Sequence, residues 1–251
     1  MKIASIDIGT NAIKSKVFNT SPTTIDFIEG IRSPIRLGAE VFESGRLSDN
    51  KLDELIKTLK KYQKNFIKND IKMYEIVATS AFRDTDNSEK ARRYVENMID
   101  HPIRIISGLE EAKLIRFHPK AQIGKNKIYV DVGGGSTEIY IFKNNEHIIQ
   151  SFQLGAVRSM LNKDDKNEWN RLSQWLSKQN KADTLVGLGG SIKSFLNINN
   201  VKKINAELFI NEAMNLKKLT QKNKIEKLGL QPDDVFLTVF ARVVHLNGVA
   251  L

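Results

Sequence analysis

The sequence predicts an α/β protein with two similar lobes, each a mixed β-sheet flanked by helices, and a ligand cleft between the lobes. Each half opens with a strand, an Asp-x-Gly turn and a second strand, the turns being at residues 7–10 and 131–134. Later segments alternate between helical and extended patterns, which implies crossover connections within a mixed sheet. The length of 251 residues suits two small domains. We therefore expect lobes at residues 1–120 and 121–251, the second shortened at its C-terminal end.

The first lobe is expected to contain a strand meander followed by alternating helices and strands. Pro34, Gly38 and Gly45 interrupt regular patterns, so residues 33–45 are predicted to form a loop. Apolar residues recur at helical spacing from Leu52 to Phe66, which predicts an amphipathic helix. The predicted strands are 2–7, 12–19, 24–30, 73–78 and 103–106, and the predicted helices are 49–68, 88–98 and 108–117.

The second lobe is expected to repeat the strand–turn–strand opening. A lobe boundary is predicted within residues 119–127, which contain a proline, a glycine and three lysines. The predicted strands are 128–132, 137–143, 147–153 and 184–188, with a turn at 143–146. The predicted helices are 165–179, 191–196, 206–219, 220–228 and 233–246.

The most informative segment is residues 131–138, DVGGGSTE, which lies between two apolar strands. Glycines give access to positive φ angles and to close approach of a ligand. Successive amides in such a turn can form a concave anion site. Asp131 and Glu138 flank the turn, and Mg²⁺ is typically held by one or two carboxylates together with phosphate oxygens. The segment therefore favours a phosphate and metal site.

Two further glycine turns follow apolar strands. One is residues 7–11, DIGTN, and the other is residues 187–191, GLGGS. A helix opening near Ser191 would add the positive end of a helix dipole to the third turn. Three such turns together favour a phosphate-binding protein more strongly than one turn does.

Composition limits the compartment and the partners. The chain has no cysteine and no apolar run near the ~20 residues of a membrane helix. It starts directly with a strand, so we expect no signal peptide and a cytoplasmic protein. The net charge of +10 favours polyanionic partners, although scattered lysines could equally serve solubility alone.

Four segments together resemble the exopolyphosphatase / guanosine pentaphosphate phosphohydrolase family, which belongs to the actin-like ATPase superfamily. Residues 153–158 and 188–191 fit later family motifs, and the order and spacing match over nearly the whole chain. The four segments are residues 7–12 (DIGTNA), 78–83 (ATSAFR), 106–112 (ISGLEEA) and 131–138 (DVGGGSTE). The resemblance implies two actin-like, ribonuclease H-like lobes.

The resemblance also implies a reaction, the Mg²⁺-assisted attack of water on a terminal phosphate. Glu111 corresponds to the family's general base, whereas Glu110 is interpreted as an ordinary first-turn acid. Arg83 would clamp a phosphate with its planar guanidinium. Metal ligands would be Asp131 or Glu138, with Asp7 nearby. Phosphate oxygens would contact Thr10, Asn11, the amides of Gly133, Gly134, Gly135, Ser136 and Thr137, and those of Gly189, Gly190 and Ser191.

The substrate remains open between inorganic polyphosphate and guanosine pentaphosphate, a nucleotide of the stringent response. A polyanionic phosphate substrate and a homodimer are expected from the resemblance; a membrane or nucleic-acid partner is not. Lys14 stands where the family usually has Arg, and the additional C-terminal helical domain of the family's longest members has no counterpart. These departures keep a non-catalytic polyphosphate or (p)ppGpp sensor as an alternative, and an ATP-dependent kinase or ATPase as a third.

Overall fold

The computed structural model describes residues 1–117, 126–143, 146–179, 181–230 and 237–247. The chain divides into two compact units, Met1–Ser107 and Gly108–Leu251. The division expected at residue 120 remains a prediction, because most of the segment 119–127 lies outside the described residues. Among the described residues, no helix combines the length and the apolar character needed to cross a membrane.

The first unit contains five strands and four helices. The strands are β1 (Lys2–Ile8), β2 (Ile13–Thr20), β3 (Ile25–Ser33), β4 (Met73–Ala78) and β5 (Arg104–Ile105). The helices are α1 (Leu37–Ser44), α2 (Asp49–Lys68), α3 (Ser80–Arg83) and α4 (Ser88–Ile99). The predicted strands and the two predicted long helices of this unit are therefore present, with ends that differ by a few residues.

The sheet of the first unit is mixed and has the strand order β3-β2-β1-β4-β5. Strand β1 pairs antiparallel with β2 and parallel with β4. Helix α2 begins after Ser48, whose side chain accepts from the Lys51 amide at 3.3 Å. Its apolar stripe is buried from Leu52 to Phe66, as the spacing predicts. Tyr62 links this helix to the sheet by donating to Ser33 Oγ at 2.8 Å.

The prediction of a loop over residues 33–45 is wrong for most of that segment. Residues 37–44 form α1, preceded by Arg36 in the left-handed region (φ 57°) and closed by Gly45 (φ 78°). Position 38 lies inside this helix, and it requires glycine because a Cβ there would lie 1.9 Å from Thr10 Cγ2. The Gly38 amide also donates to the Thr10 carbonyl at 2.8 Å. Gly38 thus allows α1 to pack closely against Thr10. The sequence pattern does not distinguish a glycine in this packing role from a glycine that ends a helix.

The second unit contains four strands and seven helices among its described residues. The strands are β6 (Lys127–Val132), β7 (Thr137–Lys143), β8 (Glu146–Phe152) and β9 (Thr184–Leu188). The helices are α5 (Gly108–Leu114), α6 (Ala156–Met160), α7 (Lys166–Ser177), α8 (Gly190–Ile198), α9 (Ala206–Lys218), α10 (Gln221–Leu228) and α11 (Thr238–Asn247). A 3₁₀ turn, Ile115–Phe117, follows α5. The sequence pattern does not predict the short helices α3 and α6, and residues 233–236 of the last predicted helix and 144–145 of the predicted turn lie outside the described residues.

The sheet of the second unit has the order β8-β7-β6-β9 and repeats the pairing directions of β3-β2-β1-β4. One face of this sheet packs into the main core, which includes Val130, Ile139 and Phe195. The opposite face carries a small cluster of Ile115, Tyr129 and Tyr140, and α5 packs across β7 and β8 on that side. The two repeated mixed sheets with flanking helices confirm the predicted fold class.

We predict that Gly38→Ala destabilises the protein, because the added methyl overlaps the Thr10 side chain. The free energy of unfolding should fall by about 1–3 kcal/mol, the usual effect of overpacking. Chemical denaturation measures the change. Gly190→Ala is the matched control, since no atom lies within 4 Å of a Cβ at that glycine. Equal stabilities of the two variants would contradict the packing role of Gly38.

Candidate active site

The glycine turn of residues 133–136 connects β6 to β7 and places two carboxylates side by side. Asp131 and Glu138 are direct partners in the antiparallel register, so both side chains lie on the face that α5 covers. The turn is closed by the Gly133 amide, which donates to the Ser136 carbonyl at 2.9 Å. A two-strand hairpin therefore presents both acids at one end of the sheet.

Residues of helix α6 hold this turn by donating hydrogen bonds to the carbonyl groups of the turn. The Val157 amide donates to Gly134 O at 2.8 Å, and Arg158 Nε donates to Gly135 O at 2.7 Å. Gly155 permits the contact, because a Cβ there would lie 2.5 Å from Gly134 O. Within the described parts of the chain, the Gly134 and Gly135 amides donate to no backbone carbonyl. Those two amides can therefore serve an anion.

Glu138 is almost completely buried, with 3% of its surface exposed. Its Oε1 accepts a hydrogen bond from Ser151 Oγ at 2.9 Å, and Ser136 also donates to the carboxyl group. Burial raises the pKa of Glu138 well above its usual value, and the negative charges of Glu111 and Asp131 add to the rise. The site thus concentrates three acids where solvent screens them poorly.

Helix α5 brings Glu111 to this buried acid. A Cβ at Gly108 would lie 2.2 Å from Ser151 Oγ and 3.9 Å from Glu138 Oε1, so only glycine lets the helix start this close to β8. Glu111 follows one turn later, and its Oε2 atom is shielded from solvent. Glu110 is exposed on the same helix. The geometry therefore separates the two neighbouring glutamates into a site residue and a surface residue.

The third glycine turn lies against the first carboxylate. Gly189 has a φ of +90°, and a Cβ there would lie 2.6 Å from Val132 O and 3.0 Å from Asp131 Oδ1. Gly190 opens α8 and has free space around it, whereas Ser191 is buried. The first turn of α8, whose leading amides have no acceptor within the helix itself, therefore begins close to Asp131, and such a helix start favours a bound anion.

The predicted residues of the first glycine turn lie in the first unit. Asp7 lies next to the last residue of β1 and beside Lys14, with 3.7 Å between Asp7 Oδ2 and Lys14 Nζ. Restricted hydration raises the pKa of Asp7 above its usual value, and Lys14 opposes the rise. Thr10 is buried, and its hydroxyl is 2.6 Å from that of Ser80. The Asn11 carbonyl accepts from the Arg36 amide at 3.0 Å.

Arg83 is half-buried in the first unit and is held by local contacts. Its Nη1 donates to the Ile106 carbonyl at 3.0 Å, and its Nε is 3.5 Å from Asp84 Oδ1. The guanidinium is therefore oriented before any ligand binds, as a phosphate clamp requires. The expectation that Arg83 acts on the same phosphate as Glu111 remains a prediction.

The structure brings together Glu111, Asp131, Glu138 and the two glycine turns of the second unit. Two predicted phosphate contacts also have structural roles, since the Thr137 hydroxyl donates to Leu154 O at 2.6 Å and the Gly133 amide closes the turn. Neither Ser151 nor the supporting role of Gly108 is predicted from the sequence pattern. Nothing in the pattern around Ser151 marks it, because its role depends on the pairing of β7 with β8.

The family model of the Ppx/GppA phosphatase family matches residues 16–229, which is most of the chain. The chain belongs to the Ppx/GppA phosphatase family. This membership confirms the resemblance that the glycine turns and the ISGLEEA segment indicate. It supports phosphohydrolase activity in general and leaves the particular substrate open.

Solved structures of similar fold include two bacterial proteins. The Aquifex aeolicus member of the Ppx/GppA family has a TM-score of 0.78 and 22% identity, with 100% of this chain and 92% of that chain covered. An exopolyphosphatase from Cytophaga hutchinsonii has a TM-score of 0.82 and 19% identity, with the same coverage. At these identities the likeness shows that the fold is shared.

We predict that Glu138→Gln makes the metal-free protein less sensitive to alkaline pH. Because the folded-state pKa of Glu138 is raised, its contribution to stability is present below the unfolded-state pKa and is lost as pH rises through the folded-state value. Gln stays neutral and can still accept from Ser151. The melting temperature of the variant, relative to wild type, should therefore increase between about pH 5 and about pH 8.

The matched control is Glu146→Gln, which changes an exposed glutamate at the start of β8. Thermal melts in EDTA should show a melting-temperature difference from wild type that varies with pH much less for this control. A Glu138→Gln difference that stays constant across the pH series would contradict the ionisation argument.

Proposed function

We propose that this protein is a phosphohydrolase that removes the terminal phosphate from inorganic polyphosphate, guanosine pentaphosphate or both. The observation that carries the proposal is the convergence of Glu111, Asp131 and Glu138 beside the Gly134 and Gly135 amides. Phosphoryl transfer makes few covalent demands on a protein, so catalysis depends on positioning and on charge stabilisation. In this arrangement one acid would accept a proton from water, the other two would bind the metal, and the backbone amides would bind phosphate.

Glu111 is the proposed general base. It lies on α5, close enough to Glu138 for its charge to raise the pKa of that buried acid. Glu138 and Asp131 face each other across the hairpin, which leaves Glu111 as the acid on a separate element. A base on a separate helix can accept the proton of an attacking water while the hairpin holds the phosphate.

The phosphate itself would be held by backbone amides. Gly134 and Gly135 have their carbonyl groups fixed by α6, so the turn is rigid before a ligand binds. The first turn of α8, at Gly190 and Ser191, adds helix-terminal amides near Asp131. Preorganised donors of this kind stabilise developing negative charge without reorganisation.

Asp131 and Glu138 suit Mg²⁺ by the chemistry of their oxygens. Three acids in a poorly solvated site repel one another, and a divalent cation would offset that repulsion. Among the described residues, no three acidic or histidine side chains form a metal site by themselves. Two carboxylates completed by substrate phosphate are a usual Mg²⁺ arrangement. When bound, Mg²⁺ would neutralise charge on the transferred phosphate.

The roles of the first-unit residues are proposed from the family resemblance. Asp7 is a proposed additional metal ligand, Thr10 and Asn11 are proposed phosphate donors, and Arg83 is a proposed clamp. A cytoplasmic location and a homodimer also remain proposals, supported by the absence of cysteine and by the family resemblance respectively.

We predict that Glu111→Gln lowers kcat by about 100-fold to 10,000-fold, the usual contribution of a general base, with a smaller change in KM. Phosphate release from polyphosphate and from guanosine pentaphosphate with Mg²⁺ measures the effect. Glu110→Gln is the matched control, since it changes the adjacent but exposed glutamate.

Equal rates for Glu111→Gln and wild type would remove Glu111 as the base. A wild-type protein that binds both compounds without releasing phosphate would instead be a sensor of phosphate polymers or of (p)ppGpp. The net charge of +10 is the observation that favours this second candidate.

A further inference from the structure

Three cations share one exposed face of the sheet in the first unit. Strand β2 alternates between buried Ile13, Ser15 and Val17 and exposed Lys14 and Lys16. Arg32 on β3 is the direct partner of Lys14 in the antiparallel register. We name Lys14, Lys16 and Arg32 the basic strip.

The basic strip is unusual because it places like charges opposite each other. Side chains directly paired across antiparallel strands are close neighbours, and two cations in that position destabilise a bare sheet. Among the described residues, neither Lys16 nor Arg32 forms an ion pair, and Lys14 has only the 3.7 Å contact with Asp7. The strip therefore keeps an excess of positive charge that an anion would neutralise.

The other charges on this sheet face do not cancel the basic strip. The register of β1 with β2 and β4 places Asp7 and Glu75 on the same face. Glu75 already pairs with Arg104 at 2.9 Å, which leaves Asp7 to face Lys14. Helix α2 covers the opposite face, where Asn65 Nδ2 donates to the Glu29 carboxylate at 3.2 Å.

We propose that the basic strip binds the interior phosphates of an inorganic polyphosphate chain. This inference rests on the proposed function, because it selects polyphosphate from the two candidate substrates. Residues two apart on a strand lie about 7 Å apart, and neighbouring strands lie about 5 Å apart. The three cations therefore form one compact surface that can bind an anion. The strip begins beside Asp7, directly next to the first glycine turn.

A repeating polyanion matches this surface better than a nucleotide does. A linear polyphosphate presents charge along its whole length, whereas guanosine pentaphosphate ends its phosphate runs in a nucleoside. The far end of the strip is bounded by Phe18 and Phe27, whose rings pack edge to face at 5.9 Å. Those rings lie near Gly30, the partner of Lys16, where a Cβ would be 3.4 Å from Phe27 Cζ.

Binding in EDTA tests the strip without turnover. Fluorescence anisotropy with end-labelled long-chain polyphosphate would compare wild type with a Lys16→Gln, Arg32→Gln double variant. The double variant should bind about tenfold more weakly at low ionic strength, the effect of losing two exposed ionic contacts. The slope of log Kd against log salt concentration should also fall by roughly one to two units, because two phosphate contacts are lost.

The matched control is a Lys57→Gln, Lys61→Gln double variant, which removes the same charge from exposed positions of α2. Equal affinities and salt slopes for the two double variants would overturn the proposal. An equal loss of affinity for guanosine pentaphosphate, measured by competition, would overturn the selectivity for polyphosphate. Both results leave the phosphohydrolase proposal intact, since that proposal fails only if wild type with Mg²⁺ releases no phosphate.

Discussion

The burial of Glu138 beside Asp131 and Glu111 is the constraint around which the second unit is organised. A carboxyl group with 3% exposure is unfavourable unless its oxygens are hydrogen-bonded or its charge is offset. Ser151 on β8 donates a hydrogen bond to Glu138. The first residue of α5 is Gly108, because a larger residue would overlap the Ser151 hydroxyl. The β6–β7 hairpin, strand β8 and helix α5 therefore all pack around the carboxyl group of Glu138.

Glycine has two different physical roles in this protein. Gly189 has a positive φ, which gives the backbone a conformation that other residues adopt at an energetic penalty. Gly38, Gly108 and Gly155 instead have no room for a side chain, because a Cβ would overlap Thr10, Ser151 and Gly134 respectively. Gly38 and Gly155 thereby allow close packing against two of the glycine turns, although both residues lie outside those turns.

The two sheets show how a shared topology can carry different chemistry. Both begin with an antiparallel hairpin whose first strand pairs in parallel with a later strand. In the second unit Asp131 lies opposite Glu138, and Glu111 lies near Glu138. In the first unit the equivalent residue, Asp7, lies opposite Lys14. The first sheet is thus the more basic and the second the more acidic at equivalent positions.

The amino-acid sequence alone was sufficient for the fold class, the long helix α2 and the three glycine turns. Those features depend on local periodicity and on residues adjacent in the chain, which a pattern records directly. It was insufficient for α1, for Ser151 and for the packing role of Gly38, because each depends on residues far apart in sequence. Only the tertiary structure brought Ser151, Glu138 and Gly108 together, since strand pairing and helix approach decide which side chains become neighbours.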